Sequence, residues 1–131
     1  MRSIRMRRTI ETKEAPAAVG PYAQAYEAHG TLYVSGQIPF IPETMVLVSK
    51  DVSLQTAQSL KNIEAIITEA GYCKTDIVKC QVFLSDMNDF AAVNAVYADF
   101  FDGHTPARCA VEVSRLPKDV DVEIDAICVK E

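Results

Sequence analysis

Between Val120 and Cys128 every second residue is apolar: Val120, Val122, Ile124, Ala126 and Cys128 alternate with Asp121, Glu123 and Asp125. Side chains alternate across a β-strand, so this period of two predicts a strand with one side on a core and three acids on the other. Acids on an exposed strand face read as a solvated surface. If a neighbouring strand sets a cation beside them, Glu123 or Asp125 could instead hold an internal salt bridge.

Other segments repeat the pattern. In "DIVKCQVFLSD" Val78, Cys80, Val82 and Leu84 share one face, with Lys79 and Gln81 on the other. "TLYVSGQ" sets Leu32 and Val34 against Thr31, Tyr33 and Ser35, and Gly36 lets another group approach the backbone closely before Pro39 and Pro42 stop the strand. A first strand is expected near Arg7 to Thr12. Gly20-Pro21 and Gly30 mark a turn followed by a hairpin.

Two segments switch to helical spacing. From Ser53 to Ala70, Ala57, Leu60, Ile63, Ile67 and Ala70 recur at three- and four-residue intervals, and Gly71 follows where a helix would end. A second helix starts near Asp86 to Asp89, carries Phe90, Val93, Tyr97, Phe100 and Phe101 on or near its apolar face, and ends at Gly103. Asn94 intrudes on that face, where its plain reading is a buried amide capping a local backbone group.

The order β, β-β, α, β, α, β, β predicts an α+β fold with a mixed β-sheet and two helices packed on one face. A chain of 131 residues supports one core, hence one domain over 1–131 with residues 1–5 as a basic lead. With 49% apolar residues and no helix left to cover the second sheet face, that face is expected to meet another subunit.

Several functions are disfavoured at once. The net charge of −5 gives no general attraction to nucleic acid. The opening "MRSIRMRR" is followed by acids rather than by an apolar block, so it does not read as a secretory or mitochondrial signal, and no run is long enough for a membrane span. Cys73, Cys80, Cys109 and Cys128 form no C-x-x-C pair and the only histidines are His29 and His104, which argues against a metal site. The thiols read as small core residues in a cytoplasmic protein. No dinucleotide, phosphate-loop, zinc-protease or nucleophile-elbow motif is present.

"TPARCAVEV" places Arg108 in a strand-like run. Alternation sends Arg108, Ala110 and Glu112 one way and Cys109, Val111 and Val113 the other, with Cys109 expected in the core. An arginine there calls for a partner, either a protein carboxylate or a ligand.

The segments "APAAVGPYAQA", "LYVSGQIP", "QSLKNIEAI", "DIVK", "NDFAAVNAVYADFF", "PAR" and "VSRLPKDVDVEIDAI" occur in this order from about Met6 to the C-terminus. Together they resemble the Rid/YjgF family, the reactive intermediate deaminases. The resemblance implies a chorismate-mutase-like fold and a homotrimer whose sheets form an inner barrel, with clefts between subunits. It also implies cofactor-free hydrolysis of 2-imino acids, such as 2-iminobutanoate and 2-iminopropanoate, to 2-keto acids and ammonia. Pyridoxal-phosphate-dependent dehydratases release those intermediates as enamines.

By the same resemblance Arg108 binds the substrate carboxylate, and Tyr22, Ser35 and Glu123 serve catalysis. Gly36, Asn94 and the backbone of Ala110 join the substrate-binding set. A guanidinium fork suits bidentate capture of a carboxylate. Tyr22 packed beside the Gly-Pro turn, and Ser35 as a mere strand-end residue, remain the structural readings of those positions.

Two features depart from the family pattern. Many bacterial relatives carry a cysteine two positions after the arginine, where this chain has Ala110, which puts a thiol mechanism in doubt. The loop "PETMVLVSKD" lacks the glycines usual near Met45 and Lys50, so its shape and the access to the cleft are expected to differ. A non-catalytic keto-acid-sensing or protein-binding trimer is the alternative function. A ribonuclease or translation inhibitor is a weaker one, against which stand the acidic balance and the missing histidine pair.

Overall fold

The computed structural model describes residues 7–131; the basic lead expected at residues 1–5 lies outside them. In chain order the elements are β1 (Arg7–Ile10), β2 (Ala25–Ala28), β3 (Thr31–Gln37), β4 (Phe40–Ile41), β5 (Val46–Leu47), α1 (Val52–Glu69), β6 (Ile77–Leu84), α2 (Phe90–Phe101), β7 (Ala107–Glu112) and β8 (Val122–Val129). Six strands form one sheet in the order β1-β2-β3-β8-β6-β7, and β4 and β5 form a small separate hairpin. The large sheet is antiparallel except for β6 and β7, which run parallel with α2 as their crossover.

β8 behaves as its alternation predicts. Val122, Ile124, Ala126 and Cys128 are buried, and Leu60, Ile63, Ile66 and Ile67 of α1 complete the same core. Asp51 caps α1, accepting from the Ser53 N–H at 2.7 Å, and Gly71 follows the helix at φ +90, a backbone shape that glycine tolerates best. Both helices lie on one side of the sheet, as expected. Among the described residues no helix is long and apolar enough to cross a membrane.

Four details differ from the sequence reading. Ala57 is exposed, and the buried stripe of α1 includes Gln55, Thr56, Ser59 and Asn62. Part of this helix face meets loops rather than the sheet: the Asn62 amide donates to the carbonyls of Ile38 (3.3 Å) and Phe40 (3.0 Å), and Gln55 donates to that of Ser49 (3.0 Å). Val78 is exposed because the β6–β8 register shifts between Ile77 and Lys79, which gives Ile77 the buried place. The first strand stops at Ile10, since the Thr12 N–H turns to the Gln24 side chain at 2.7 Å.

The fourth difference concerns cysteine. All four thiols are free, but only Cys80 and Cys128 are buried, and Cys73 and Cys109 are exposed. Cys109 pairs with Gln81 in the parallel register and so lies on the uncovered sheet face rather than in the core. That face also presents Tyr26, Tyr33 and Val111.

Gln24 anchors the loop between β1 and β2. Its side chain is 3% exposed, accepts from Thr12 N–H, and donates to the carbonyls of Thr12 (3.1 Å) and Pro16 (2.8 Å). Gln24→Ala leaves those backbone groups without partners and is expected to destabilise the fold by about 2–3 kcal/mol, read by thermal or urea unfolding. A change below about 0.5 kcal/mol would show that the loop does not depend on this amide.

Candidate active site

Arg108 stands opposite Cys80 in the β6–β7 register, so it faces the helix layer. β7 is the edge strand, and the long side chain runs out past α2 into solvent. There Nη1 donates to Asn94 Oδ1 at 2.6 Å, and the guanidinium carbon lies 4.9 Å from the Tyr97 ring centroid and 5.4 Å from that of Phe90. Phe90, Asn94 and Tyr97 are spaced four and three apart and form one stripe of α2. Ring faces attract a cation without neutralising it.

This arrangement corrects one expectation and closes one alternative. Asn94 is exposed and steadies Arg108 through its side chain instead of capping the backbone. Glu123 and Asp125 do not pair with Arg108, because both occupy the face of β8 turned away from the helices. No described carboxylate forms an ion pair with it. Burial pushes the Cys80 thiol up to about 11 and raises the Tyr97 hydroxyl as well, so neither supplies a countercharge at neutral pH. The remaining guanidinium N–H groups are free donors for a planar acid.

Ala110 shares the Arg108 face, half-buried against the core opposite Val82. The nearest thiol in sequence, Cys109, is on the other face.

Glu123 is built differently. It sits opposite Phe83, half-buried, beside the irregularity in β3 where the register with β8 shifts between Val34 and Gln37. A Cβ at Gly36 would fall 2.0 Å from Glu123 Oε2. Gly36 is therefore glycine because the carboxylate lies over its backbone, a close approach that any other residue would displace. Burial lifts the Glu123 carboxyl above its ordinary value, and the like charge of Asp125 adds to the effect.

The acids of β8, and Asp121 just before it, are thus no solvated face. Asp125 accepts from the Gln81 N–H at 2.9 Å, and Asp121 accepts from the side chains of Gln55 (3.2 Å) and Ser85 (3.3 Å).

Ser35 donates its hydroxyl to the Ala23 carbonyl at 2.7 Å, so toward a ligand it can act only as an acceptor. Tyr22 is 51% exposed, with its ring 3.4 Å from where a Gly20 Cβ would be, so it packs against the turn and stays open to solvent. Tyr22 and Gly36 line a cavity of about 300 Å³ together with Val19, Ile38, Phe40 and Met45. Lys118 also reaches it, from a turn fastened by a two-pronged Arg115–Asp119 contact at 2.7 and 3.2 Å.

One chain therefore brings Tyr22, Ser35, Gly36 and Glu123 to one region and Arg108, Asn94 and Ala110 to another. The guanidinium and the acid of the candidate set, Arg108 and Glu123, point to opposite faces of the sheet. Sequence reasoning missed Lys118 as a cavity residue, and although Tyr97 is buried in the core and Phe90 packs against it as expected, it missed that their rings also carry the Arg108 guanidinium. The signal for the latter was the polar Asn94 set between two aromatics on one helical stripe. Among the described residues no cluster of His, Cys, Asp and Glu could hold a metal ion.

A family model described as Endoribonuclease L-PSP matches residues 12–130. The chain belongs to the Rid/YjgF family. It is 52% identical to the 2-iminobutanoate/2-iminopropanoate deaminase of Salmonella typhimurium over 128 residues, covering 95% of this chain and 99% of the relative. A RutC family protein of Pyrococcus horikoshii is also 52% identical, over 96% of this chain and all of its own length. Among solved structures the YjgF gene product of E. coli superposes with a TM-score of 0.91 at 50% identity, covering 95% of this chain and 99% of that one.

The raised carboxyl of Glu123 has a thermodynamic consequence. The folded state holds the Glu123 proton more tightly than the unfolded chain, so this group favours folding below the ordinary carboxylate range. That contribution is lost as pH rises through the folded value. Glu123→Gln is expected to melt at or above the parent at pH 7, with the advantage shrinking as pH falls toward about 4. Differential scanning calorimetry across that range checks it, and a variant less stable at pH 7 than at pH 4 relative to the parent would reverse the sign.

Proposed function

We propose that this protein hydrolyses 2-imino acids, among them 2-iminobutanoate and 2-iminopropanoate, to 2-keto acids and ammonia in clefts formed between neighbouring copies of a homotrimer. The observation that carries the reading is Arg108: a guanidinium positioned by Asn94, Phe90 and Tyr97, with no carboxylate among the described residues to neutralise it. The name of the Salmonella relative supports the substrate class. The opposite facing of Arg108 and Glu123 supports a cleft that takes Arg108 from one subunit and Glu123 from the next. The uncovered face bearing Tyr26, Tyr33 and Val111 supports an assembly that buries it. In that assembly the sheets would close into an inner barrel.

In the proposed reaction the substrate carboxylate takes both prongs of Arg108, which sets the C=N carbon toward Glu123. With the substrate in its iminium form, water adds to that carbon while the Glu123 carboxylate accepts one of its protons, giving a neutral carbinolamine. Glu123 then returns the proton to nitrogen, the C–N bond breaks, and the hydroxyl proton leaves with ammonia as ammonium. A carboxyl shifted upward by burial suits both halves of this exchange. Position 110 carries no thiol, Cys109 turns to the other face, and Cys80 opposite Arg108 is buried with its thiol pushed up to about 11, so hydrolysis proceeds without a covalent intermediate. The substrates are unstable products of pyridoxal-phosphate-dependent dehydratases, and free thiols at Cys73 and Cys109 suit a cytoplasmic setting.

A coupled assay tests the activity. Threonine dehydratase generates 2-iminobutanoate, semicarbazide traps it, and the protein is expected to divert flux to 2-ketobutyrate; unchanged trapping at high protein concentration would leave only a ligand-sensing role. Arg108→Ala should lose roughly ten- to a hundredfold in kcat/KM, as expected for a charge-assisted hydrogen bond. Its stability should stay within about 1 kcal/mol of the parent, since the side chain is exposed and pairs with no carboxylate. Melting several kcal/mol below the parent with keto-acid binding intact would return Arg108 to a structural role.

Mixing the impaired Arg108→Ala and Glu123→Gln chains, with each variant's residual activity subtracted, tests the shared cleft. Random reassembly places an intact Arg108 opposite an intact Glu123 in about a quarter of the clefts of a cyclic trimer, and activity should recover to about that fraction. No recovery in mixed trimers verified by light scattering would put both residues in one chain's site.

A further inference from the structure

Met45 occupies a strained backbone position at the edge of the cavity that holds Tyr22 and Gly36. It closes the loop between β4 and β5, its φ is +58, and its N–H donates to the Ile41 carbonyl at 2.7 Å. A long side chain in the left-handed region is uncommon and worth a functional explanation.

The side chain lies between two hollows. On one side is the 300 Å³ cavity with Tyr22, Gly36 and the apolar walls Val19, Ile38 and Phe40. On the other is a larger hollow of about 540 Å³, lined by Glu11, Lys13, Ala15 and Pro42 among others. Ala17, Gln24 and Met45 line both and so form the partition. Gln24 is buried and hydrogen-bonded to three backbone groups or more, and Ala17 has no rotatable side chain. Met45, with three flexible torsions, is the adjustable part of the wall.

We propose that Met45 sets the length of alkyl chain the cleft admits, closing off the larger hollow so that short 2-imino acids are favoured over long ones. The inference rests on the imine-hydrolysing reading of the cleft. With the carboxylate on Arg108 and the C=N carbon at Glu123, the alkyl group extends along Val19, Ile38 and Phe40 and meets Met45. Removing the thioether opens a path into the hollow beyond, where additional methylenes leave water. Glycine at position 45 accepts the left-handed backbone, so the loop keeps its shape when the side chain is deleted.

The test compares parent, Met45→Gly, Met45→Ala and Met45→Leu on 2-iminobutanoate and 2-iminohexanoate. An L-amino acid oxidase generates these in situ from 2-aminobutyrate and norleucine, and semicarbazide trapping is the readout. Binding of 2-ketobutyrate and 2-ketohexanoate is titrated in parallel.

The kcat/KM ratio of long to short substrate is expected to rise on the order of tenfold in Met45→Gly, the value for two extra buried methylenes. Met45→Ala should move the ratio in the same direction, and Met45→Leu, which keeps the bulk, should stay within about twofold of the parent. An active parent whose ratio does not change in Met45→Gly overturns the gate and leaves imine hydrolysis standing. A parent inactive on both imines, yet binding both keto acids, overturns the hydrolytic reading; the gate then stands or falls on whether Met45→Gly shifts the keto-acid affinity ratio.

Discussion

β8 lies between β3 and β6, so its two-residue period decides which side of both neighbours faces the helices. Val122, Ile124, Ala126 and Cys128 are all buried, and a slip of one residue would trade them for Glu123 and Asp125. That penalty locks the register. The locked register then sets Glu123 over Gly36 on one side and keeps Cys80, opposite Arg108, on the other. Site geometry is in this sense a by-product of core packing.

The element order, both helix positions and the single-sided packing were legible because each rests on a long, regular pattern. Facing was legible only where the two faces of a strand differ in polarity. β8 declares its core side, whereas β7 alternates Arg108, Ala110 and Glu112 with Cys109 and Val111 and gives no clear sign of which row is inward. As an edge strand it buries neither row fully, so the expectation that Cys109 enters the core failed. Ala57 and Val78 failed for local reasons, a helix face that serves loops and a register shift, neither of which hydrophobic spacing records. Of the site, resemblance named the residues and alternation separated Arg108 from Cys109. What holds Arg108 in place was hidden, since aromatic residues on a helix stripe read as core, which Tyr97 is, and give no sign that their rings also carry a cation.

Arginines elsewhere in the molecule show what the Arg108 arrangement avoids. Arg8 pairs with Glu27 at 2.6 Å and Arg115 with Asp119 at 2.7 Å, each fixing a surface junction with its charge satisfied. Arg108 is fixed instead by a neutral amide and two ring faces, which orient the guanidinium and leave its charge for a ligand. Replacing Asn94 by an acid would hold the side chain as firmly and abolish that availability.

The same logic explains why the acid and the cation of the proposed reaction are kept on opposite faces of one sheet. Side by side in a single chain, Glu123 and Arg108 would neutralise each other, and the pair would have to be broken before substrate could bind. Separation by the sheet lets Glu123 settle into a half-buried setting that raises its carboxyl, while Arg108 stays solvated and charged. If the two meet only across a subunit boundary, a bound carboxylate can take the guanidinium first. The acid then keeps the elevated proton affinity that exchange with water and ammonia requires.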